Sequence, residues 1–279
     1  MIEKKIGFIG AGNMAFSLIG GLTNTGIPGS NIWVSDPDNN KTSRLAEKFQ
    51  ISTAANNIEL VNQADIVVLA VKPQQLASVC KEISAAAATR PILLISIAAG
   101  ILSKDIEQWL SGDAKTAIAL VRCMPNTPAL VQSGATALFA NRNVTDEQKT
   151  LAESILRAVG LTLWFENEND LHAVTALSGS GPAYIFLVIE AMEKAGAALG
   201  LDEKTARLLA IQTAFGASKM ALESDDDPET LRRKVTSPGG TTETAVDLLQ
   251  AGGLEKLFSK ALNGAHERSI ELSQLLGNN

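Results

Sequence analysis

The chain has 279 residues, 46% of them hydrophobic and 19% charged, which is the composition of a globular protein with room for two ordinary domains. Its net charge of −6 argues against a nucleic-acid partner, which needs a basic surface. The lack of any run of about 18 apolar residues predicts no membrane span, and two histidines with two separated cysteines predict no metal site. No basic segment followed by an apolar one opens the sequence, so we expect a cytoplasmic protein with reduced cysteines.

The first half of the chain alternates short apolar runs with helical patterns. We predict strands over residues 5–9, 31–35, 65–71, 91–96 and 117–121, with helices over residues 13–25, about 40–49 and about 103–110 between them. The run from Asp65 to Val71 is almost wholly apolar, which is typical of a parallel strand buried on both faces. This alternation predicts an α/β fold with right-handed βαβ units and an open, parallel, doubly wound sheet of the Rossmann type.

The second half changes character after Trp164, where strand patterns stop. From about Asp170 to Leu276, apolar residues recur at three- and four-residue spacing, which predicts an all-α domain. We therefore place a dinucleotide-binding domain at residues 1–165 and a helical substrate-binding and dimerisation domain at residues 166–279. Several helices are apolar on more than one face. A self-contained bundle would explain this, but burial against a second copy explains it better.

A glycine-rich motif lies at the first strand-to-helix turn. Gly10-Ala-Gly-Asn-Met-Ala15 fits the pattern G-x-G-x-x-A, and it follows a predicted strand and opens a predicted helix. Gly10 permits the tight turn, Gly12 lets the backbone approach a pyrophosphate, and Ala15 allows close packing of helix on strand. The helix N-terminus offers N–H groups and partial positive charge to the phosphates. The motif predicts a nicotinamide dinucleotide site.

The end of the second strand is expected to meet the adenosine ribose. There the sequence is Ser35-Asp36-Pro37, and an acidic residue at this place accepts hydrogen bonds from the ribose hydroxyls of NADH and repels a 2′-phosphate. Lys41 and Arg44 follow closely and have the charge to pair with a phosphate, although such charges are more commonly solvated residues on a helix face. The sequence leaves the choice between NADPH and NADH open.

A second turn with ligand-binding character lies near the end of the chain. Pro238-Gly-Gly-Thr-Thr242 precedes a helical pattern, and the N–H groups of a helix N-terminus suit a carboxylate. Gly239 and Gly240 would let the backbone come close to a small ring. Thr241 and Thr242 either hold this ligand, with the Thr242 hydroxyl near its nitrogen, or include a threonine that only caps the helix.

Five further motifs follow the glycine-rich loop: Ala70-Val-Lys-Pro73, Ser96–Gly100, Arg122-Cys-Met-Pro-Asn-Thr-Pro128, Leu177–Tyr184 and Val235–Thr242. This set, in this order, resembles the Δ1-pyrroline-5-carboxylate reductase family from the first strand to the last helix. The resemblance implies hydride transfer from NADPH or NADH to the C=N bond of a small cyclic imino acid, which gives L-proline. It also implies a homodimer built by the C-terminal helices, often assembled into a ring of dimers.

The resemblance and the two turns together name the site residues. The predicted cofactor contacts are Ile9, Gly10, Ala11, Gly12, Asn13, Met14, Ser35, Asp36, Asn57, Ala70, Val71, Lys72, Pro73, Ala98 and Ala99. The predicted substrate contacts are Glu168, Ser237, Gly239, Gly240, Thr241 and Thr242, of which Thr242 is the predicted catalytic residue. Asp36 stands where NADPH-using members carry a small polar residue, which weakens the case for NADPH.

Two other functions compete with this interpretation. A β-hydroxyacid dehydrogenase would share the glycine-rich loop but needs a lysine on the first long helix after the sheet, where this chain is rich in glycine and serine and Lys194 comes well downstream. A non-catalytic dinucleotide sensor would not need the Pro-Gly-Gly-Thr-Thr turn. Because no histidine is well placed by sequence, we expect an imine substrate to enter as the iminium or to be protonated through water.

Overall fold

The computed structural model describes residues 4–111 and 117–277. Two compact units make up the chain, one formed by Met1–Ser180 with Ala265–Asn279, the other by Gly181–Gly264. The domain boundary near residue 165 coincides with the end of the last strand described and stays a prediction.

The first unit holds a sheet of eight strands in the order β3-β2-β1-β4-β5-β6-β7-β8. Its strands are β1 Ile6–Ile9, β2 Ile32–Ser35, β3 Ser52–Thr53, β4 Ile66–Leu69, β5 Leu93–Ser96, β6 Ala119–Met124, β7 Gly134–Ala140 and β8 Gly160–Trp164. Its helices are α1 Asn13–Asn24, α2 Asn39–Phe49, α3 Asn57–Gln63, α4 Pro73–Ala87, α5 Ser103–Ser111, α6 Asp146–Arg157 and α7 Asp170–Val174. The order reverses direction between β1 and β4, which is where doubly wound sheets bind ligands.

The alternation of side chains along each strand gives the sheet a hydrophobic core on both faces. In β4, Ile66 and Val68 pack into the core on one face, while Val67 and Leu69 pack into the core on the other. All four residues are buried, which explains why this strand is a continuous apolar run in the sequence. The predicted doubly wound α/β architecture is confirmed.

The five strands predicted from the sequence correspond to β1, β2, β4, β5 and β6, and the strand pairs among them are parallel; the exception involves β7, a strand that was not predicted. β6 and β7 run antiparallel, with Cys123 opposite Leu138, while the other strand pairs described are parallel. The connection between them covers only residues 125–133 and contains a single 3-10 turn, Thr127–Val131. A parallel crossover needs a dozen or more residues, so this connection returns the chain in the opposite direction.

The second unit is helical, as predicted. After α7 and a short π-helix, Thr175–Gly179, come α8 Gly181–Ala198, α9 Glu203–Glu223, α10 Pro228–Lys234, α11 Thr241–Ala251 and α12 Leu254–Gly277. The part of α12 from Ala265 onward belongs to the first unit. The side chains of Asp202 and Asp227 accept hydrogen bonds from the Thr205 and Thr230 backbone N–H groups, which caps α9 and α10. Gly200 has φ +101° and follows the end of α8, a conformation that glycine adopts without strain.

The helices of this unit leave much apolar surface uncovered. In the described chain α8 has no buried residue, and Leu187 on it is 66% exposed. The segment Asp170–Ala198 is long and apolar enough to cross a membrane by length and composition, with a mean hydropathy of 1.3. A helix that packs against protein can satisfy the same test, and the expected absence of a membrane span stays a prediction.

Candidate functional site

The glycine-rich loop joins β1 to α1 at the carboxyl edge of the sheet. Gly10 has φ +103°, and a Cβ atom there would lie 2.6 Å from the Ala70 carbonyl oxygen, so a side chain at this position is excluded twice. Its backbone N–H donates to the Ser35 oxygen at 2.8 Å, and Ala70 N–H donates to the Ile9 oxygen at the same distance. Ala15, in the first turn of α1, is fully buried. The loop is therefore held from both neighbouring strands.

Gly12 differs from Gly10 because nothing lies where its side chain would be. It caps α1 in an extended conformation, and a Cβ atom built on it meets no atom within 4 Å. Gly12 and Asn13 are exposed, and within the described residues no side chain caps this helix end. The space over Gly12 and the free helix N-terminus fit the pyrophosphate of a dinucleotide, which needs close backbone approach and N–H donors.

The two glycines are expected to respond differently to substitution. Gly12→Val fills space that only a ligand would occupy, so we expect an unchanged melting temperature and dinucleotide binding weaker by about 10- to 100-fold, the value of one lost charge-assisted hydrogen bond. Gly10→Ala introduces strain and a backbone clash, so we expect a loss of about 1–3 kcal/mol of stability. Thermal unfolding and fluorescence titration with NADH separate the two effects. Weakened folding in Gly12→Val would contradict this assignment.

The end of β2 presents polar groups beside this loop. Asp36 accepts a hydrogen bond from Ala11 N–H at 2.9 Å, and the Ser35 hydroxyl donates to the Asn57 side-chain oxygen at 2.7 Å. Asn57, the first residue of α3, donates in turn to the Glu82 carboxylate at 2.9 Å. The structure thus brings together the predicted ribose residues Ser35, Asp36 and Asn57 next to the loop.

The remaining predicted cofactor residues lie along the same edge. Ile9 pairs with Leu69, and Leu69 pairs with Ser96, so the residues that follow β1, β4 and β5 emerge side by side. Lys72 caps α4 in an extended conformation, with Pro73 as the first helical residue. The predicted cofactor residues that follow β4 are Ala70, Val71, Lys72 and Pro73, and those that follow β5 are Ala98 and Ala99.

The Pro-Gly-Gly-Thr-Thr turn opens α11 in the second unit, as the sequence predicts. Gly239 has φ +70°, its N–H donates to the Glu243 carboxylate at 2.7 Å, and Gly240 N–H donates to the Ser237 oxygen at 3.0 Å. The N-cap is Gly240, with no side-chain cap at this end among the described residues, and Thr241 and Thr242 form the first turn. The alternative in which a threonine only caps this helix is therefore wrong.

This helix end has the properties of a carboxylate site. Its cap is a glycine with no side-chain cap among the described residues, and the helix dipole adds partial positive charge. The same turn carries the Glu243 carboxylate, which is bonded to Gly239 N–H. Gly239 is exposed and a Cβ atom there would meet nothing within 4 Å, which leaves room for a small ring against the backbone. Thr242 is half-buried in the first turn. Its contact with substrate stays a prediction.

Glu168, another predicted substrate residue, has protein partners in the first unit. Its carboxylate accepts from Ser103 N–H and from the Ser103 hydroxyl, both at 2.7 Å, and from Arg122 Nη1 at 3.0 Å. Ser103 is the first residue of α5, so Glu168 places a negative charge at that helix N-terminus. Arg122 is 2% exposed. The structure assigns Glu168 to a buried ion pair, and its contact with substrate stays a prediction.

A second buried polar contact lies next to this ion pair. His172 on α7 shares a hydrogen bond of 2.9 Å between its Nδ1 and the Ser269 hydroxyl on α12. Burial lowers the pKa of His172, and the positive charge of Arg122 lowers it further. His172 is therefore held as a neutral ring that connects two helices of the first unit, which supports the sequence-based expectation that no histidine serves as the acid.

Two residues of the motif Arg122–Pro128 lie in this region, although neither is among the predicted contact residues. Arg122 lies within the otherwise uncharged strand β6, and a charged residue at a buried strand position is a signal that it has a partner. Asn126, at the end of the same strand, donates to Ser178 and accepts from Ala135 N–H, which ties three segments together. Both cysteines are buried, and burial raises the pKa of Cys80 to about 12, so they serve as packing residues.

A glycine-rich loop at the switch point of a doubly wound sheet, together with a helical unit that has a glycine-capped helix end, is the arrangement of a nicotinamide-dependent oxidoreductase. Comparisons with known proteins give the family. Residues 168–272 match the family model described as pyrroline-5-carboxylate reductase dimerisation, and residues 5–100 match the one described as NADP oxidoreductase coenzyme F420-dependent. The pyrroline-5-carboxylate reductase of Pseudomonas aeruginosa is 49% identical over 277 residues, which cover 99% of this chain and all of the relative.

Solved structures of the same family are similar to this chain over nearly its whole length. The pyrroline-5-carboxylate reductase of Coxiella burnetii is 47% identical and superposes with a TM-score of 0.92 over 97% of this chain and 98% of that one. The enzyme of Plasmodium falciparum, solved with NADP bound, is 31% identical with a TM-score of 0.84 over 98% of this chain and 99% of that one. The chain belongs to the pyrroline-5-carboxylate reductase family.

Proposed function

We propose that this chain reduces the C=N bond of Δ1-pyrroline-5-carboxylate to L-proline with NADH or NADPH, the last step of proline biosynthesis. The observation that carries the proposal is the similarity over the whole length, since a relative at 49% identity is covered over 99% of this chain, a span that includes both the dinucleotide loop and the turn at α11. The fit of the loop to a pyrophosphate, with open space over Gly12, supports it independently.

The residues divide the work in this proposal. The reduced nicotinamide, when bound, supplies the hydride. The N-terminus of α11 holds the substrate carboxylate, and Gly239 and Gly240 let the ring lie close to the backbone. The Thr242 hydroxyl accepts a hydrogen bond from the ring N–H of the iminium, which fixes the orientation of the C=N bond. Ser237 and Thr241 complete this binding turn.

The protonation state of the substrate follows from the groups that are present. A threonine hydroxyl does not release a proton readily near neutral pH, and His172 is buried and bonded to Ser269. We therefore propose that the substrate enters already protonated at nitrogen or takes its proton through water. The pH profile of the rate then follows the substrate and not an enzyme group.

Absorbance assays with purified protein test the proposed activity. NADH or NADPH is expected to be consumed only when Δ1-pyrroline-5-carboxylate is added, with one L-proline formed for each dinucleotide oxidised. Gly12→Val serves as the control with a damaged dinucleotide loop. A β-hydroxy acid oxidised in place of imine reduction, or binding without turnover, would favour the two competing functions.

The match to a dimerisation domain supports an oligomer, and we propose a homodimer that associates further into a ring of dimers in the cytoplasm. The exposed apolar side chains of the second unit, such as Leu187, Leu208 and Phe215, support a second copy of the chain as the surface that covers them. The same surface accounts for the apolar segment Asp170–Ala198 without a membrane. Light scattering on the intact protein distinguishes a monomer, a dimer and a larger ring.

A further inference from the structure

We propose that Asp36 makes this chain select NADH over NADPH. The inference rests on the dinucleotide role in the proposed function and adds to it the identity of the dinucleotide. It concerns the end of β2, where the sequence alone leaves the choice open. The fold does not decide the choice, because a solved relative at 31% identity holds NADP on the same architecture.

The carboxylate of Asp36 is fixed in place by two backbone donors. Its Oδ2 accepts from Ala11 N–H in the glycine-rich loop at 2.9 Å, and its Oδ1 accepts from Asp38 N–H at 2.9 Å. Asp36 is half-buried. Moving this side chain away from the loop breaks both hydrogen bonds and leaves the Ala11 and Asp38 N–H groups without these partners, so a ligand with a negative group cannot displace it cheaply.

A second carboxylate adds negative charge near this strand end. Glu82 bonds to Asn57, which bonds to Ser35 beside Asp36. The ribose 2′-hydroxyl of NADH is a hydrogen-bond donor to a carboxylate, whereas the 2′-phosphate of NADPH brings about −1.5 to −2 charges to the same place. NADH therefore gains a hydrogen bond where NADPH meets repulsion.

The nearby cations have partners of their own. Lys41 lies 3.7 Å from the Asp38 carboxylate. Arg44 lies 5.7 Å from the centre of the Phe16 ring, and Lys48 lies 4.6 Å from the same ring. A 2′-phosphate would have to draw these side chains from an ion pair and from cation–π contacts, and it would still face Asp36.

Equilibrium binding without the imine tests the proposal. Protein fluorescence is titrated with NADH and with NADPH, and we expect NADH to bind at least about ten-fold more tightly. Asp36→Asn removes the charge at nearly constant size, and we expect it to bring the two dissociation constants to within about three-fold by tightening NADPH and weakening NADH. Asp36→Ser is the second variant, used if Asp36→Asn does not fold, and the same change is expected.

Glu47→Gln is the matched control, because it removes one negative charge from an exposed position of α2, a helix that begins after Asp36. We expect it to leave the wild-type preference unchanged. Equal or tighter binding of NADPH by the wild type, or an unchanged preference in both Asp36 variants, would overturn the specificity while leaving the reductase proposal intact. Binding of neither dinucleotide would overturn both.

Discussion

Replacing Arg122 with alanine is expected to lower the free energy of unfolding by about 3–5 kcal/mol, the cost of breaking a buried ion pair by removing one partner. Arg122 is 2% exposed and Glu168 17% exposed, so the guanidinium is buried and the carboxylate is largely shielded from water. Without the guanidinium, the Glu168 carboxylate keeps its bonds to Ser103 but loses its counter-charge where solvent access is small. Urea denaturation of the variant and the wild type measures the loss.

The surface pair Arg90–Asp65 is the matched control. Its atoms are 2.7 Å apart, but the side chains are 32% and 36% exposed, so solvent screens the charges. We expect Arg90→Ala to cost at most about 1 kcal/mol. Equal losses for Arg122→Ala and Arg90→Ala would show that the buried pair does not have the role assigned to it.

Glu168→Gln separates the two roles of Glu168. A glutamine retains hydrogen bonding to Ser103 but removes the charge that pairs with Arg122. If Glu168 is only an anchor, stability falls while the KM for the imine stays close to its wild-type value. A raised KM at unchanged stability would instead support the substrate contact that the family resemblance implies.

The sequence was informative wherever a structural requirement lies within a few consecutive residues. The turn at Gly10, the open position at Gly12 and the glycine-capped start of α11 are all local, because each depends on backbone freedom at one or two positions. Buried parallel strands such as β4 are also visible, since both of their faces are apolar. These features define the fold class, the dinucleotide loop of the first unit and the glycine-rich turn of the second.

The sequence did not predict contacts between residues that are far apart along the chain. Arg122 and Glu168 are separated by 46 positions, and nothing local states that one neutralises the other. The edge strand β8 was missed because its pattern is inverted: Thr162 is buried and bonded to Glu153, whereas Leu161 and Leu163 are about half exposed. A strand whose apolar face points away from its own core gives no ordinary amphipathic signal.

Replacing Thr242 with alanine is expected to lower kcat for imine reduction by about 100-fold, the usual effect of losing one well-placed polar group in an active site. In the proposed mechanism the hydroxyl orients the C=N bond, so its loss reduces the rate more than it reduces binding of the carboxylate, which the N–H groups of α11 hold. Thr242→Ser restores a hydroxyl and is expected to recover most of the rate. Steady-state kinetics at saturating dinucleotide measure both variants.

Thr244→Ala provides the control on the same helix. Thr244 is exposed, and its hydroxyl donates to the Gly240 oxygen at 3.3 Å, so its removal costs at most one weak backbone contact. We expect Thr244→Ala to keep kcat within about three-fold of the wild type. If Thr242→Ala instead kept the wild-type kcat and KM, the Thr242 hydroxyl would have no role in imine reduction. The first turn of α11 would then contribute only its backbone N–H groups.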